Sequence, residues 1–160
     1  SKLRLAASEL KFSVWEAIGC LPVTIAFGET YSALASGLCD GMENEFPSIL
    51  TAKFYEPAPY ITLTEHEITV RPLFMNNDAF NAMDAELQEA LLRAIDEATV
   101  LALQYEREMS EEAQNQMVNE FGVTLYEIDK APIMERTQEI FSQFGEENGL
   151  SDMIARIQAE

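Results

Sequence analysis

Apolar positions come in short runs along the first half of the chain and in helix-period stripes along the second. Residues 3 to 6 read as a strand, followed by a polar turn and an amphipathic segment through Phe12, Trp15 and Ile18 that stops at Gly19. Residues 21 to 26 make the next strand, with Pro22 at its edge, and Gly28 opens a turn into a helix whose apolar face is Tyr31, Leu34 and Ala35. Gly37 is placed to end that helix in a left-handed conformation. Leu38 and Cys39 read as a very short strand, Asp40-Gly41 as a turn, and 46 to 53 as a short helix beginning near Pro47. After Pro57 and Pro59, residues 60 to 63 and 68 to 75 read as strands, either central or hinge-crossing, on their β-branched, alternating content.

The second half changes character. Asp84 is a plausible N-cap for a long helix over 85 to 110, with Leu87, Leu91, Ile95, Ala98, Ala102 and Tyr105 at helical spacing. After an interruption at Ser110 the helix is expected to continue through Ala113, Met117 and Phe121 to Gly122. Residues 123 to 126 form a short strand, and Asp129 caps a helix carrying Ile133, Ile140 and Phe144. Gly145 and Gly149 mark the turn into a last helix around 153 to 157. The stretch from 22 to 47 organises the rest: strand, helix, exit, then a polar turn ending in Glu43 and Asn44. That order is an α/β unit with polar side chains gathered where strands and helices meet, a common place for ligands.

Charge narrows the possible partners. The 160 residues, 48% of them hydrophobic, suffice for one domain with a core, and they carry a formal charge of -18. Residues 1 to 75 hold nine acids and five basic residues, whereas 76 to 160 hold nineteen and five. Such a field repels nucleic acid and anionic membrane surfaces, and no run of Lys or Arg offsets it. An anionic ligand therefore needs a local positive group. Cys20 and Cys39 lack metal-ligand or redox spacing and read as free thiols; with one histidine they assemble no zinc quartet. The sequence contains no apolar run of about 20 residues and no signal peptide, and the start at a core strand leaves room for sequence upstream of Ser1.

The catalytic inventory is thin. His66 is the only histidine, and Glu65 and Glu67 beside it would point to opposite faces of an extended segment, so it reads as a structural or surface residue. The pairs Asp40 with Glu43 and Glu43 with Glu45 are commonplace in so acidic a chain, and neither a nucleophile elbow nor a glycine-rich phosphate loop is present. Arg4 is more informative. It interrupts an apolar strand, where it lies either on an exposed face or as a buried fork able to clamp a carboxylate; Arg71 invites the same reasoning more weakly. Asn44 offers a donor and an acceptor in its polar turn, and Phe27 and Trp15 are either core or the apolar wall of a ligand site. These residues describe an α/β domain that binds rather than catalyses.

Phe27-Gly28-Glu29-Thr30-Tyr31-Ser32-Ala33-Leu34, Ser36-Gly37-Leu38-Cys39-Asp40-Gly41-Met42-Glu43-Asn44, and Lys53-Phe54-Tyr55-Glu56 followed by Tyr60 to His66 form a linked set. Together they resemble the signature of TRAP transporter solute-binding proteins, the DctP-like extracytoplasmic receptors. The resemblance implies one lobe of a periplasmic-binding-protein-like fold, and covers essentially the whole chain. It implies that residues 1 to 160 are the C-terminal lobe with hinge-spanning helices, the first lobe being absent. By the resemblance Arg4 bridges the ligand carboxylate, Asn44 helps to hold it, and Phe27 lines the cleft, with Glu43 and Trp15 as further candidate ligand-binding residues. It further implies periplasmic delivery of a small organic carboxylate to TRAP permease subunits, with no catalysis and no cofactor. Two departures stand out: Met42 where glutamine is common, and Glu45-Phe46 where a proline usually follows the asparagine. A lone lobe would leave the apolar face of its long helix uncovered and is expected either to dimerise or to serve as an assembly module without solute binding.

Overall fold

The computed structural model describes residues 1 to 159. Three strands, β1 (Lys2–Leu5), β2 (Leu21–Thr24) and β3 (Gly41–Met42), form a parallel sheet in the order β2-β1-β3. β1 is central, with Arg4 opposite Val23 on one side and Met42 on the other. Helix α1 (Glu9–Ala17), capped by the Ser8 hydroxyl, makes the crossover from β1 to β2. A 3-10 turn (Phe27–Glu29) and α2 (Thr30–Ala35) then lead the chain to the far edge of β1. The direction of travel across the sheet reverses at β1, which creates a crevice outside the carboxyl ends of the strands.

Helix α3 (Phe46–Thr51) has Pro47 in its first turn, as its lack of an N–H permits, and β4 (Tyr60–Leu63) follows. After the short α4 (Asn77–Asn81) comes α5 (Ala85–Asn119), 35 residues long, or about 50 Å at the usual helical rise. β5 (Thr124–Glu127) returns parallel to β4, and α6 (Ala131–Asn148) and α7 (Ser151–Gln158) complete the chain. The architecture is the α/β lobe with a long helix in its second half that the sequence implies.

The core lies between α2, α3 and the last third of α5. Ala33, Leu34, Cys39, Ile49, Phe54, Tyr55, Met117 and Val123 are buried together there. The rest of α5 exposes Leu87, Leu92, Val100, Leu101, Leu103, Tyr105 and Met109. Its amphipathic stripe is real, but only its C-terminal end meets this core.

Several local expectations are corrected. Residues 68 to 75 belong to no strand or helix, and Ile68 and Phe74 are 90% and 88% exposed. Their β-branched, alternating content reflects strand propensity, which without a partner's ladder makes no sheet. The edge strand is Gly41–Met42 rather than Leu38–Cys39, because the Leu38 and Cys39 N–H groups both turn back to the Ala33 carbonyl and pairing with β1 starts only at Asp40 N–H to Lys2 O. α5 runs through Ser110 without interruption. Gly145 is no turn: it is buried inside α6, where a Cβ would lie 3.0 Å from Ile154 Cδ1 and 3.2 Å from Ser151 Cα of α7. Gly149, with φ +68, is the residue that ends the helix, and Gly37, at φ +74, ends α2 as expected. Cys20 and Cys39 are free thiols, and burial pushes the Cys39 pKa up.

Met117 is fully buried and joins α5 to the rest of the core. Met117→Ala is expected to lower the free energy of unfolding by about 2 to 5 kcal/mol, measured by urea denaturation; a loss below about 0.5 kcal/mol would show that the α5 junction does not hold the fold.

Candidate functional site

The carboxyl ends of the three parallel strands carry the polar residues. Arg4, near the end of β1, is only 5% exposed, so its charge has left bulk water. Its Nε donates to the Ile25 carbonyl just beyond β2 at 2.9 Å, and its guanidinium carbon lies 5.9 Å from the centre of the Phe27 ring. That ring in turn meets Phe54 edge-on at 5.3 Å, which fixes the platform beneath the guanidinium. No carboxylate pairs with Arg4 among the described residues. Its two Nη groups find no protein acceptor there, yet they are not sealed from solvent. A planar fork held by its Nε side with its outer donors free is suited to a carboxylate.

Asn44 lies two residues beyond the end of β3. It is half-buried, and its side-chain carbonyl accepts from the Glu45 N–H at 3.0 Å, which leaves the amide NH2 free to donate. Because Met42 pairs with Arg4 across the ladder, the turn carrying Asn44 begins beside the arginine's strand. Glu45, the awkward charge next to this turn, is matched: it accepts from Ser48 Oγ at 2.7 Å and from Arg71 at 3.3 Å, while Arg71 also holds Glu106 at 2.7 Å. Arg71 therefore has protein partners, and Glu106, on α5, gave no sequence signal because it lies 35 residues from Arg71.

A second group forms around Glu43. Its carboxylate faces His66 Nε2 at 3.6 Å and Lys11 Nζ at 3.5 Å, and Lys11 also binds Glu67 at 2.5 Å. The Trp15 ring meets the His66 ring edge-on at 5.1 Å, and Thr64 Oγ1 contacts His66 Nδ1 at 2.6 Å. Trp15 and Glu43 are thus linked through His66, whereas Phe27 belongs with Arg4. The expectation that residues flanking His66 point apart fails for Glu67. Glu65 has φ +46, which breaks the extended alternation; Glu65 turns to Lys130 while Glu67 joins His66. Lys11 and Glu67 were not legible as members of this group, since three separate elements bring it together.

Glu43, His66 and Glu67 offer ligand atoms within 4.8 Å of one another, but the Lys11 ammonium already bridges the two carboxylates. The group is a satisfied ion network rather than a vacant metal centre. Burial pushes the Glu43 pKa up, but the bond to His66 and the Lys11 charge outweigh it and hold the group below the ordinary 4.5. For Lys11, burial acts downward and the Glu67 and Glu43 contacts prevail, raising it above 10.5. Asp40, the other acid once paired with Glu43 in sequence, instead accepts the Lys2 N–H at 2.6 Å.

Residues 1–148 match the family described as "Bacterial extracellular solute-binding protein, family 7", DctP. The chain belongs to this family. DctP-type proteins are extracytoplasmic solute receptors of TRAP transporters and are not catalysts. A solute-binding protein of Sulfitobacter sp. (strain NAS-14.1) is 32% identical over 160 residues, spanning 99% of this chain and 48% of that protein. The C4-dicarboxylate-binding periplasmic protein of Rhodobacter capsulatus is 26% identical, spanning 99% and 48%. The crystal structure of a TRAP periplasmic solute-binding protein from Xanthobacter autotrophicus Py2 with bound β-D-galacturonate superposes with a TM-score of 0.88 at 30% identity, covering 99% of this chain and 53% of that one. The chain thus spans about half the length of these DctP relatives.

Because the Glu43 pKa is lowered on folding, its ion network stabilises the fold fully above the unfolded carboxyl pKa and is lost as pH falls through the lower folded value. Glu43→Gln is accordingly expected to reduce stability at pH 7 and to flatten the loss of stability below pH 4.5, followed by denaturant midpoints across pH. An acid limb of unchanged steepness would place the acid sensitivity elsewhere.

Proposed function

We propose that this DctP chain supplies the carboxylate-anchoring lobe of a periplasmic receptor, which captures a small organic carboxylate and delivers it to TRAP membrane permease subunits. The observation that carries the reading is Arg4: a buried guanidinium without an acidic partner among the described residues, its outer donors open at the ends of parallel strands. In this reading Arg4 neutralises the ligand carboxylate, the Asn44 amide donates to it, and Phe27 forms the apolar wall. Glu43 and Trp15 both meet His66, and in this reading they would brace the turn that carries Asn44. Galacturonate and C4-dicarboxylates, named for two of the relatives, both present the group that Arg4 fits. Binding would then shift the population toward a closed form that the membrane partners recognise.

A second reading is favoured by the exposed apolar surface on α5 and on Ile68, Val70, Leu73 and Phe74. Residues 1 to 160 would correspond to the C-terminal lobe with hinge-spanning helices. By itself such a lobe would act through this surface, as an assembly module, without holding solute.

Arg4→Ala is expected to weaken binding of galacturonate or succinate by about 2 kcal/mol or more, measured by calorimetric titration; unaltered affinity would remove Arg4 from the site. Analytical ultracentrifugation of residues 1 to 160 is expected to show a dimer that covers the apolar surface. A monomer at high protein concentration would set the assembly reading aside.

A further inference from the structure

His66 takes no part in the carboxylate anchor, yet α1, the turn after β3 and the segment after β4 converge on it. Its ring meets Trp15 of α1 edge-on at 5.1 Å, its Nε2 faces the Glu43 carboxylate at 3.6 Å, and its Nδ1 lies 2.6 Å from Thr64 Oγ1. Glu67, the next residue, joins the group through Lys11, whose Nζ lies 2.5 Å from Glu67 and 3.5 Å from Glu43. Glu65, on the other side of His66, is drawn off to Lys130. Glu43 immediately precedes Asn44, so whatever fixes Glu43 fixes one end of the turn that carries Asn44. The other end is already tied, because Glu45 accepts from Ser48 Oγ and pairs with Arg71.

While the imidazole is neutral, one ammonium serves two carboxylates, and it stands nearer Glu67 than Glu43. Of the side chains that meet here, the imidazole is the one type that changes charge between about pH 5 and 8. Glu43, held below 4.5, and Lys11, raised above 10.5, keep their charges over that range. The 3.6 Å separation of Nε2 from the Glu43 carboxylate exceeds an ordinary hydrogen bond. A neutral ring therefore holds that carboxylate weakly, whereas an imidazolium attracts it through its charge. On the other side of the ring the Thr64 hydroxyl suits both states, donating to a bare Nδ1 or accepting from a protonated one. Protonation thus sets two cations against two carboxylates and breaks no existing contact. We propose that His66 is a positioning residue for carboxylate capture: as an imidazolium it draws Glu43 in and holds the turn with the Asn44 amide in place for the ligand. Binding then tightens as the pH falls from about 8 to about 5.5, because affinity is reduced by whatever fraction of the protein has the turn out of position. The inference rests on the reading of Arg4 and Asn44 as the carboxylate anchor.

The test is calorimetric titration of the full natural chain carrying these residues with D-galacturonate, D-gluconate and L-lactate, monocarboxylates that stay ionised above about pH 5.5. Whichever of them binds is expected to do so about threefold or more tighter at about pH 5.5 than at about pH 8, at matched ionic strength. H66Q and E43Q are each expected to remove that slope, the first by taking away the titrating ring and the second the carboxylate it draws. An imidazolium that attracts the ligand directly would leave the slope in E43Q and overturn the proposal, as would an undiminished slope in H66Q. A flat profile of Arg4-dependent binding in the natural chain would also overturn it, while leaving the carboxylate reading in place. A ligand-free measurement keeps the proposal falsifiable if a variant does not fold. The Asn44 side-chain amide resonances of the unliganded chain are expected to titrate with the His66 ring, and resonances indifferent to the ring would overturn the coupling. Failure of all three ligands to bind, or binding indifferent to Arg4→Ala, would overturn the carboxylate reading and this inference with it.

Discussion

A buried guanidinium must be compensated, and the carboxyl end of this sheet is arranged around doing so for Arg4. Removing a charge from water costs several kcal/mol after relaxation. One backbone carbonyl and one aromatic face offset part of that cost, and in the proposed reading a ligand carboxylate supplies the remainder. The sheet order β2-β1-β3 is what makes this possible, since it places the Ile25 carbonyl on one side of β1 and the Asn44 turn on the other. A helix crossover on each side of the central strand converts three short sequence segments into one crevice.

The proposed anion-binding role and the strongly acidic composition are compatible because the charges near the crevice are matched locally. Glu43 and Glu67 share Lys11, and Glu45 and Glu106 share Arg71. The remaining acids crowd the second half of the chain, largely on exposed faces of α5, α6 and α7. At physiological ionic strength their field is screened over about 8 Å, so the nearby groups dominate what a bound carboxylate feels. Arg4 stands out as the one buried cation to which no acid is assigned among the described residues.

The long helix performs two different tasks along its length. Its last turns bury Ala113 and Met117 in the core, while the preceding turns present leucines, Tyr105 and Met109 to the outside. Residues 68 to 75 add a further apolar strip with strand-like composition and no ladder. Both features leave apolar surface exposed on a chain that spans about half the length of its relatives. Arg71, within that strip, ties it to α5 by its bond to Glu106.

Local chemistry made much of this lobe legible in the sequence. Strand-length apolar runs located β1, β2 and β4 to within a residue or two, Asp84 capped α5 as its side chain predicts, and Gly37 and Gly149 ended helices where a left-handed residue is needed. The linked motifs around Phe27, Asn44 and Lys53 pointed to the family because their spacing is a property of the chain itself. What the sequence could not determine was which polar groups meet. Lys11, Glu43 and Glu67 converge from three elements, Glu106 reaches Arg71 across 35 residues, and Glu67 joins His66 in a segment where Glu65 adopts a positive φ. Strand pairing was undetermined for the same reason: residues 68 to 75 have the right propensity, but a ladder requires a second chain segment at hydrogen-bonding distance. Propensity, capping and turn chemistry act between near neighbours and can be read in one dimension, whereas ion pairing and sheet formation depend on distances that exist only once the chain has folded.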